Sequence, residues 1–141
     1  MNKLLVPVDG SEHSKKAFKF ALTMAKGQDA EVVALNVQPT YHTPNMRRFC
    51  SEQQIREYQN ELSNQALNTI LSESEDTDHI KISKKVRTGD PGIEICKEAK
   101  EINAMMIVMG NRGLGAIKST VLGSVSYRVV HDAPCPVTIV P

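Results

Sequence analysis

The alternation of short apolar runs with helical patterns constrains the fold of this chain more than any other feature. AEVVALNV at residues 30–37 and AMMIVM at residues 104–109 are compact apolar runs with the length of buried strands. Between such runs, apolar residues recur at helical spacing, as Ala17, Phe18 and Ala21 do within residues 11–26. This alternation is typical of βαβ units, and it predicts a doubly wound α/β fold with a parallel sheet.

The same patterns predict where each element lies. Strands are predicted over residues 3–8, 30–37, 79–87, 104–109 and 136–140. Helices are predicted over residues 11–26, 51–71, 93–101 and 123–131. The helix at 51–71 is expected to turn inward Ile55, Leu62, Ala66, Leu67, Ile70 and Leu71. Residues 38–50 contain two prolines and show no period, so they are predicted to form a loop.

Two predicted strands differ in character, and this difference places them in the sheet. Residues 104–109 are apolar throughout, which favours a central strand. Residues 79–87 alternate instead, with Ile80, Ile82 and Val86 on one side and Lys81, Ser83, Lys85 and Arg87 on the other. A period of two with several lysines is typical of an edge strand.

Composition and cysteine content limit the class of protein. The 141 residues, of which 40% are hydrophobic and 23% charged, suit one globular domain over residues 1–141. A formal net charge of +1 argues against a broad nucleic-acid or membrane surface. The first apolar run is too short for the core of a signal peptide, and no run approaches a membrane span.

The three cysteines, Cys50, Cys96 and Cys135, are scattered and form no CxxC motif. We therefore expect no disulfide framework and no zinc site, and we expect the protein to be in the reducing cytoplasm.

Two predicted strands end in segments that suit ligand binding. PVDGS at residues 7–11 closes the first strand, whereas GNRGLG at residues 110–115 closes the fourth and is followed by GSVS at residues 123–126. Open α/β sheets bind ligands beyond the carboxyl ends of their strands. Glycine-rich backbone beside a helix N-terminus forms an anion site, to which Ser124 and Ser126 add hydroxyl groups. The pattern therefore indicates a polyphosphate site, and the alternative is a glycine-rich turn in which Ser124 is an ordinary N-cap.

Other phosphate and catalytic motifs do not fit this sequence. Ile117 stands where a Walker A loop needs glycine, and Lys118 stands where the dinucleotide fingerprint needs its third glycine. Tyr127 occupies the position of the last glycine of a nucleophile elbow. The four histidines show no ligand spacing. We therefore predict neither a P-loop NTPase nor an NAD-binding protein, and no catalytic residue.

The spacing Gly110-x-x-Gly113, nine residues, then Gly123-Ser124 resembles the ATP-binding signature of the universal stress protein family. The opening VPVDGSEHS, the GDP at residues 89–91 and the ending APCPVTIVP are similar to that family as well. The resemblance covers the whole chain and implies its ATP-binding branch. It also implies a Rossmann-like five-stranded parallel sheet in the order 3-2-1-4-5, with helices on both faces, in a dimeric protein.

The resemblance implies a role for each matching residue. Adenine and ribose would lie against Pro7, Val8, Asp9, Val37 and Met109. The phosphates would lie on Gly110, Arg112, Gly113, Gly115, Gly123, Ser124, Val125 and Ser126, and Lys118 is a weaker candidate. Mg²⁺ or Mn²⁺ would be held mainly through phosphate oxygens and water, with Asp9 as the one plausible protein contributor.

Each of these roles has an alternative that the residues leave open. The first strand could simply end at Pro7, since proline cannot donate to a sheet ladder. Asp9 could cap the first helix, Val37 and Met109 could be plain core residues, and Arg112 could be an exposed loop arginine.

Three functions are compatible with these observations. The first is a nucleotide-binding stress-response module in which ATP is a conformational ligand; the alternatives are a slow ATP hydrolase and a nucleotide-independent dimeric interaction module. No general base is evident, so hydrolysis is expected to be slow.

Dimerisation is predicted through the last strand. Residues 137–140 carry no charge, whereas Lys81, Lys84 and Lys85 protect the other edge of the sheet. A second copy would pair antiparallel with the last strand about a two-fold axis. The alternative is a monomer whose last strand is shielded by its own helix. The downstream protein partner stays unknown.

Overall fold

Five parallel strands form one sheet in the order β3-β2-β1-β4-β5. A computed structural model of the chain describes residues 1–40, 48–73, 79–113 and 122–141. The strands are β1 (Asn2–Pro7), β2 (Ala30–Gln38), β3 (Ile82–Thr88), β4 (Met106–Gly110) and β5 (Val137–Val140). This order, with β1 at the centre, confirms the predicted doubly wound fold.

Helices connect the strands, and side chains cap the beginnings of α1 and α3. They are α1 (Glu12–Lys26), α2 (Glu52–Glu73), α3 (Pro91–Glu101) and α4 (Ser124–Asp132). Ser11 caps α1 by accepting from the amide of Ser14 at 3.2 Å, and Asp90 caps α3 by accepting from the amide of Ile93 at 3.1 Å. The observed bounds of the strands and helices differ from the predicted ones by three residues at most. None of the described helices is apolar enough over sufficient length to cross a membrane.

Two apolar layers cover the two faces of the sheet. The first core lies between the sheet and the helices α1 and α2, and it includes Leu4, Val6, Phe18, Val32, Ala34, Leu67 and Ile70. The second core lies between the sheet and the helices α3 and α4, and it includes Leu5, Val33, Leu35, Ile95, Ala99, Ile107, Met109 and Val129. Successive residues of β1 and β2 alternate between these layers, because side chains in a strand alternate between faces.

The inward face of α2 is more polar than its sequence predicts. Ile55, Leu67 and Ile70 are buried as expected, but Leu62 is only half-buried. Gln59 and Ser63 are buried in the same stripe. Both side chains have hydrogen-bond partners near the carboxyl end of β2: Ser63 donates to Asn36 on the strand, and Gln59 donates to the carbonyl of Pro39 just beyond it.

At its carboxyl end, the edge strand β3 buries a charged residue more deeply than the apolar residue beside it. Val86 is 40% exposed, whereas the Arg87 side chain is only 18% exposed. Arg87 points towards α3, where its guanidinium lies 2.6 Å from a carboxylate oxygen of the buried Glu98. Ile82 still packs against the first core, as expected for the apolar side, and Arg87 is the exception because acidic side chains of α3 pair with it.

Candidate functional site

A cavity of about 260 Å³ lies at the carboxyl ends of β1, β2 and β4, beside the first residues of α3 and α4. Its lining consists of Pro7, Val8, Asp9, Ser14, Leu35, Val37, Pro91, Ile95, Met109, Gly110, Arg112, Gly113, Gly123, Ser124, Val125 and Ser126. The structure thus brings together every site residue that the sequence predicts within the described ranges. Gly115 and Lys118 lie outside the described residues.

One part of the cavity continues the second core. Leu35, Ile95 and Met109 belong to that core, and Val37 packs against it. Val37 and Met109 are therefore both core residues and lining residues, so the two interpretations do not exclude each other. A flat apolar ring system could occupy this part with little desolvation cost.

Sequence reasoning missed four of the lining residues: Ser14, Leu35, Pro91 and Ile95. Leu35 pairs with Pro7 in the sheet register, and Pro91 begins α3 directly after its cap. The GDP motif at residues 89–91 was the one signal in the sequence that could have pointed to α3.

The carboxyl end of β1 places Asp9 at the rim of the cavity. The strand ends at Pro7, as one alternative held, and the amide of Val8 donates to the carbonyl of Leu35 at 2.7 Å. Gly10 then has φ +86°, a left-handed conformation that suits glycine. The Asp9 carboxylate accepts from the amide of Ser11 at 2.9 Å. Asp9 therefore stabilises the turn, and the cap of α1 is Ser11.

The Asp9 carboxylate also lies against the loop that follows β4. A β-carbon added at Gly113 would collide with the Oδ2 atom of Asp9. This close approach brings the exits of β1 and β4 into contact across the cavity. A ligand bound here would therefore meet both the Asp9 carboxylate and the backbone of Gly113.

Hydrogen bonds attach the end of β4 to the beginning of α4. The Ser126 hydroxyl donates to the carbonyl of Gly110 at 2.9 Å, and the amide of Gly123 donates to the carbonyl of Asn111 at 2.7 Å. Because the Ser126 hydroxyl proton is donated to Gly110, Ser124 is the one of these two serines whose hydroxyl can donate to a ligand. Ser124 is exposed at the first position of α4.

The N-terminus of α4 offers backbone donors to the cavity. The N-cap of α4 is Gly123, so the alternative in which Ser124 is the N-cap is wrong. No side chain caps this helix. Amides in the first turn of a helix have no intrahelical acceptor, and the helix dipole favours an anion beside them. Arg112, half-buried in the lining, adds a positive charge. The arrangement suits a phosphate chain.

Groups that could act as nucleophile or metal ligand are sparse at this cavity. Asp9 is the one carboxylate in its described lining, which contains neither histidine nor cysteine. Burial raises the pKa of the Cys96 and Cys135 thiols, which border the second core and not the cavity. Across the described ranges, no group of three or more His, Cys, Asp or Glu is placed to hold a metal ion.

Comparison with known proteins identifies a family that matches the whole chain. The sequence matches the universal stress protein family over residues 1–141. It is 34% identical over 145 residues to universal stress protein YxiE of Bacillus subtilis, which covers 99% of this chain and 98% of that protein. It is 35% identical over 138 residues to universal stress protein MJ0531 of Methanocaldococcus jannaschii, which covers 98% of this chain and 81% of that protein.

Solved structures share the fold. Hypothetical protein MJ0577 superimposes with a TM-score of 0.84 at 28% identity, covering 99% of this chain and 94% of that chain. A universal stress protein in complex with cAMP gives a TM-score of 0.71 at 20% identity, covering 99% and 97% of the two chains. The Archaeoglobus fulgidus protein in complex with dAMP gives 0.66 at 21% identity, covering 100% and 98%. At such identities the last two show a likeness of fold alone.

Proposed function

Because this chain belongs to the universal stress protein family, we propose that it binds ATP in this cavity and acts as a cytoplasmic, nucleotide-dependent regulatory module with little or no turnover. Residues 1–141 would form one nucleotide-binding domain, which agrees with the extent of the family match.

The observation that carries this proposal is the junction of an apolar slot with an anion site in one cavity. The apolar part, formed by Val37, Met109 and their neighbours in the second core, suits a purine ring. The anion site combines Gly113, the N-terminus of α4 and Arg112. A nucleoside triphosphate has both an apolar ring and a phosphate chain, so it matches both parts.

The remaining predicted residues have specific tasks in this proposal. Pro7 and Val8 would hold the nucleoside at the end of β1, and the Asp9 carboxylate would accept from a ribose hydroxyl. Gly110 and Val125 would present backbone to the phosphates, and Gly115 would extend that surface. Mg²⁺ or Mn²⁺ would reach the site with the nucleotide and neutralise the phosphate charge, coordinated mainly by phosphate oxygens and water.

The described lining favours binding over catalysis. Hydrolysis would need a base that orients water against the terminal phosphate. Asp9 is the one carboxylate of the described lining, and its Oδ1 atom already accepts from the amide of Ser11. Turnover by such a site would be slow.

We also propose that two chains associate through β5. This strand pairs with β4 on one side and forms the edge of the sheet on the other. It contains no charged residue, and its four side chains are all half-buried. Helix α4 contacts β5, and its Tyr127 and Val130 side chains are 65% and 49% exposed. These two side chains add exposed apolar surface to the helix that neighbours the edge strand.

The proposed site is tested by two matched glycine variants. Gly123 has φ −70°, which valine can adopt, and an added β-carbon would lie 3.4 Å from the Cα of Arg112, so valine adds bulk to the cavity lining beside Arg112. Gly123→Val should weaken ATP binding at least about tenfold in calorimetric titration, or roughly 1.4 kcal/mol. Gly27→Val is the control, because Gly27 ends α1 next to the start of β2, at the opposite end of the sheet.

Each outcome of this experiment is decisive. Equal ATP affinities for both variants and the wild type would remove the loop from the site. A wild-type protein that binds no nucleotide would refute the proposed function. Incubation of wild-type protein with Mg²⁺-ATP should leave most of the ATP intact, whereas turnover near ~1 s⁻¹ would make the protein an ordinary enzyme instead.

A further inference from the structure

We infer that Asn36 is a positioning residue of the nucleotide site: its buried amide holds the carbonyl of Val8 and so directs Asp9 towards the ligand. This inference rests on the proposed nucleotide site. Asn36 lies on β2, and the described lining of the cavity does not include it. Its influence would therefore pass through the backbone of Val8 and Asp9.

The hydrogen bond from Asn36 meets β1 where the strand has just ended. The Nδ2 atom of Asn36 donates to the carbonyl of Val8 at 2.7 Å. A carbonyl can only accept, so this contact determines which end of the Asn36 amide faces β1. Asn36 is 3% exposed and Val8 is 2% exposed, so water does not replace the bond easily.

The other end of the amide is held from two directions. The Oδ1 atom of Asn36 accepts from the Ser63 hydroxyl of α2 at 2.8 Å and from the Gln38 side-chain amide at 2.8 Å. Ser63 is 0% exposed, and Gln38 is also buried. With three hydrogen bonds in a buried position, the Asn36 side chain has one favoured orientation.

The two faces of the carboxyl end of β2 therefore serve the site in different ways. Leu35 and Val37 point to the second core and line the cavity. Asn36 and Gln38 lie on the opposite face, where they continue the row of Val32 and Ala34 in the first core. A polar pair is costly in that layer unless its hydrogen bonds are satisfied, and here they connect α2 and β2 to the end of β1.

Movement of the Val8 carbonyl would be transmitted directly to Asp9. The carbonyl belongs to the peptide group that joins Val8 to Asp9, so its rotation displaces the Asp9 backbone. The Asp9 carboxylate accepts a hydrogen bond from the amide of Ser11 and lies against Gly113. A displaced Asp9 would lose its hydrogen bond to the ligand, and a hydrogen bond to a charged group contributes roughly tenfold or more to affinity.

Two near-isosteric variants separate positioning from stability. Asn36→Leu removes the donor to the Val8 carbonyl, whereas Gln59→Met removes a comparable donor, from a residue 7% exposed, to the carbonyl of Pro39 at 2.9 Å. Both should lower the thermal stability measured by circular dichroism. Calorimetric titration should show about tenfold weaker nucleotide binding for Asn36→Leu only, the loss expected for one hydrogen bond to a charged group.

The pattern across ligands provides a readout that a merely structural role would not affect. AMP, ADP and ATP share the ribose that Asp9 would contact, so Asn36→Leu should weaken all three by the same factor. In an Asp9→Ala background, Asn36→Leu should weaken binding no further, because the group that it positions is absent. Losses that add independently would overturn the inference.

The remaining outcomes are equally informative. A folded Asn36→Leu protein with wild-type affinities rejects the role of Asn36 and leaves the nucleotide site standing, whereas a wild type that binds none of the three nucleotides rejects the site itself. If Asn36→Leu does not fold, Ser63→Ala decides, because it removes only one donor to Asn36. It should weaken AMP and ATP equally, by about threefold, and unchanged affinities would overturn the inference.

Discussion

Gly110, Gly113 and Gly123 belong to one motif, but different neighbours constrain them. A β-carbon at Gly110 would lie 2.8 Å from Cβ and 2.9 Å from the carbonyl oxygen of His13, so α1 leaves no room for it. At Gly113 the obstacle is the Asp9 carboxylate. At Gly123 the nearest atom is the Cα of Arg112, at an ordinary 3.4 Å. The packing of α1 against β4 therefore requires glycine at position 110, whereas the backbone around Gly123 has space for a β-carbon.

Alanine at Gly110 and at Gly123 should therefore have different effects on folding. Gly110→Ala overpacks the contact between β4 and α1 and should lower the free energy of unfolding by about 1–3 kcal/mol. Gly123→Ala should change it by less than about 0.5 kcal/mol. Urea unfolding followed by circular dichroism measures both, and equal losses would contradict this division.

Arg87 joins two elements, the edge strand β3 and the helix α3 that borders the cavity. Its guanidinium contacts Glu94 at 3.2 Å, Glu98 at 2.6 Å and Glu101 at 2.9 Å. Hydrogen bonds from Arg87 lower the pKa of the exposed Glu101, and Glu98 is 1% exposed. Because Pro91 at the start of α3 lines the cavity, these ion pairs connect the edge of the sheet to the site.

Arg87→Met should destabilise the protein by about 3 kcal/mol, because it leaves the buried Glu98 without its closest cation. Lys84→Met on the same strand should change the free energy of unfolding little, since Lys84 is exposed.

The loss of stability caused by Arg87→Met should depend on pH. A carboxyl whose pKa is lowered by folding adds stability above its unfolded pKa and loses it as pH falls through the folded pKa. Urea unfolding should therefore show a smaller difference between wild type and variant once the pH falls through the lowered pKa of Glu101; a difference that does not change with pH would contradict the role of Glu101.

At the scale of the whole molecule, the two edges of the sheet differ in their chemistry. β3 exposes Lys84 and Lys85, whereas β5 consists of Val137, Thr138, Ile139 and Val140. Charged edges resist pairing with another strand, and an uncharged edge invites it. The proposed dimer would cover β5 with its symmetry mate and leave β3 in solvent.

Lysine at the two edges tests this assembly. Val140→Lys should convert a dimer into a soluble monomer in light scattering, because a charge would be buried between the paired strands. Val86→Lys is the matched control on β3, where residue 86 is already 40% exposed, and it should leave the dimer unchanged. A wild-type protein that is monomeric at micromolar concentration would contradict the proposed dimer.

The sequence by itself determined the elements, their class and the two loops that matter. Periodicity located the strands and helices, and the glycine spacing after β4 indicated a phosphate site, together with the residues 7–11 that follow β1. These signals are local, since they depend on neighbours a few positions apart. The parallel βαβ rule then places the carboxyl ends of the strands at one edge, so Asp9 and Gly113 could be predicted to share a site.

Only the tertiary structure decided which side chains become partners across the fold. Asn36 reaches the Val8 carbonyl 28 residues away, Arg87 turns inward to Glu98, and Ile95 enters the cavity from α3. In the sequence, an asparagine in a strand or an arginine at an edge is typical of solvent exposure. Whether such a group is buried depends on the helix that packs over it, and that helix comes from a distant segment of the chain. Local sequence patterns therefore cannot predict that contact. It forms only in the folded chain, where burial is favourable because the buried polar groups make hydrogen bonds.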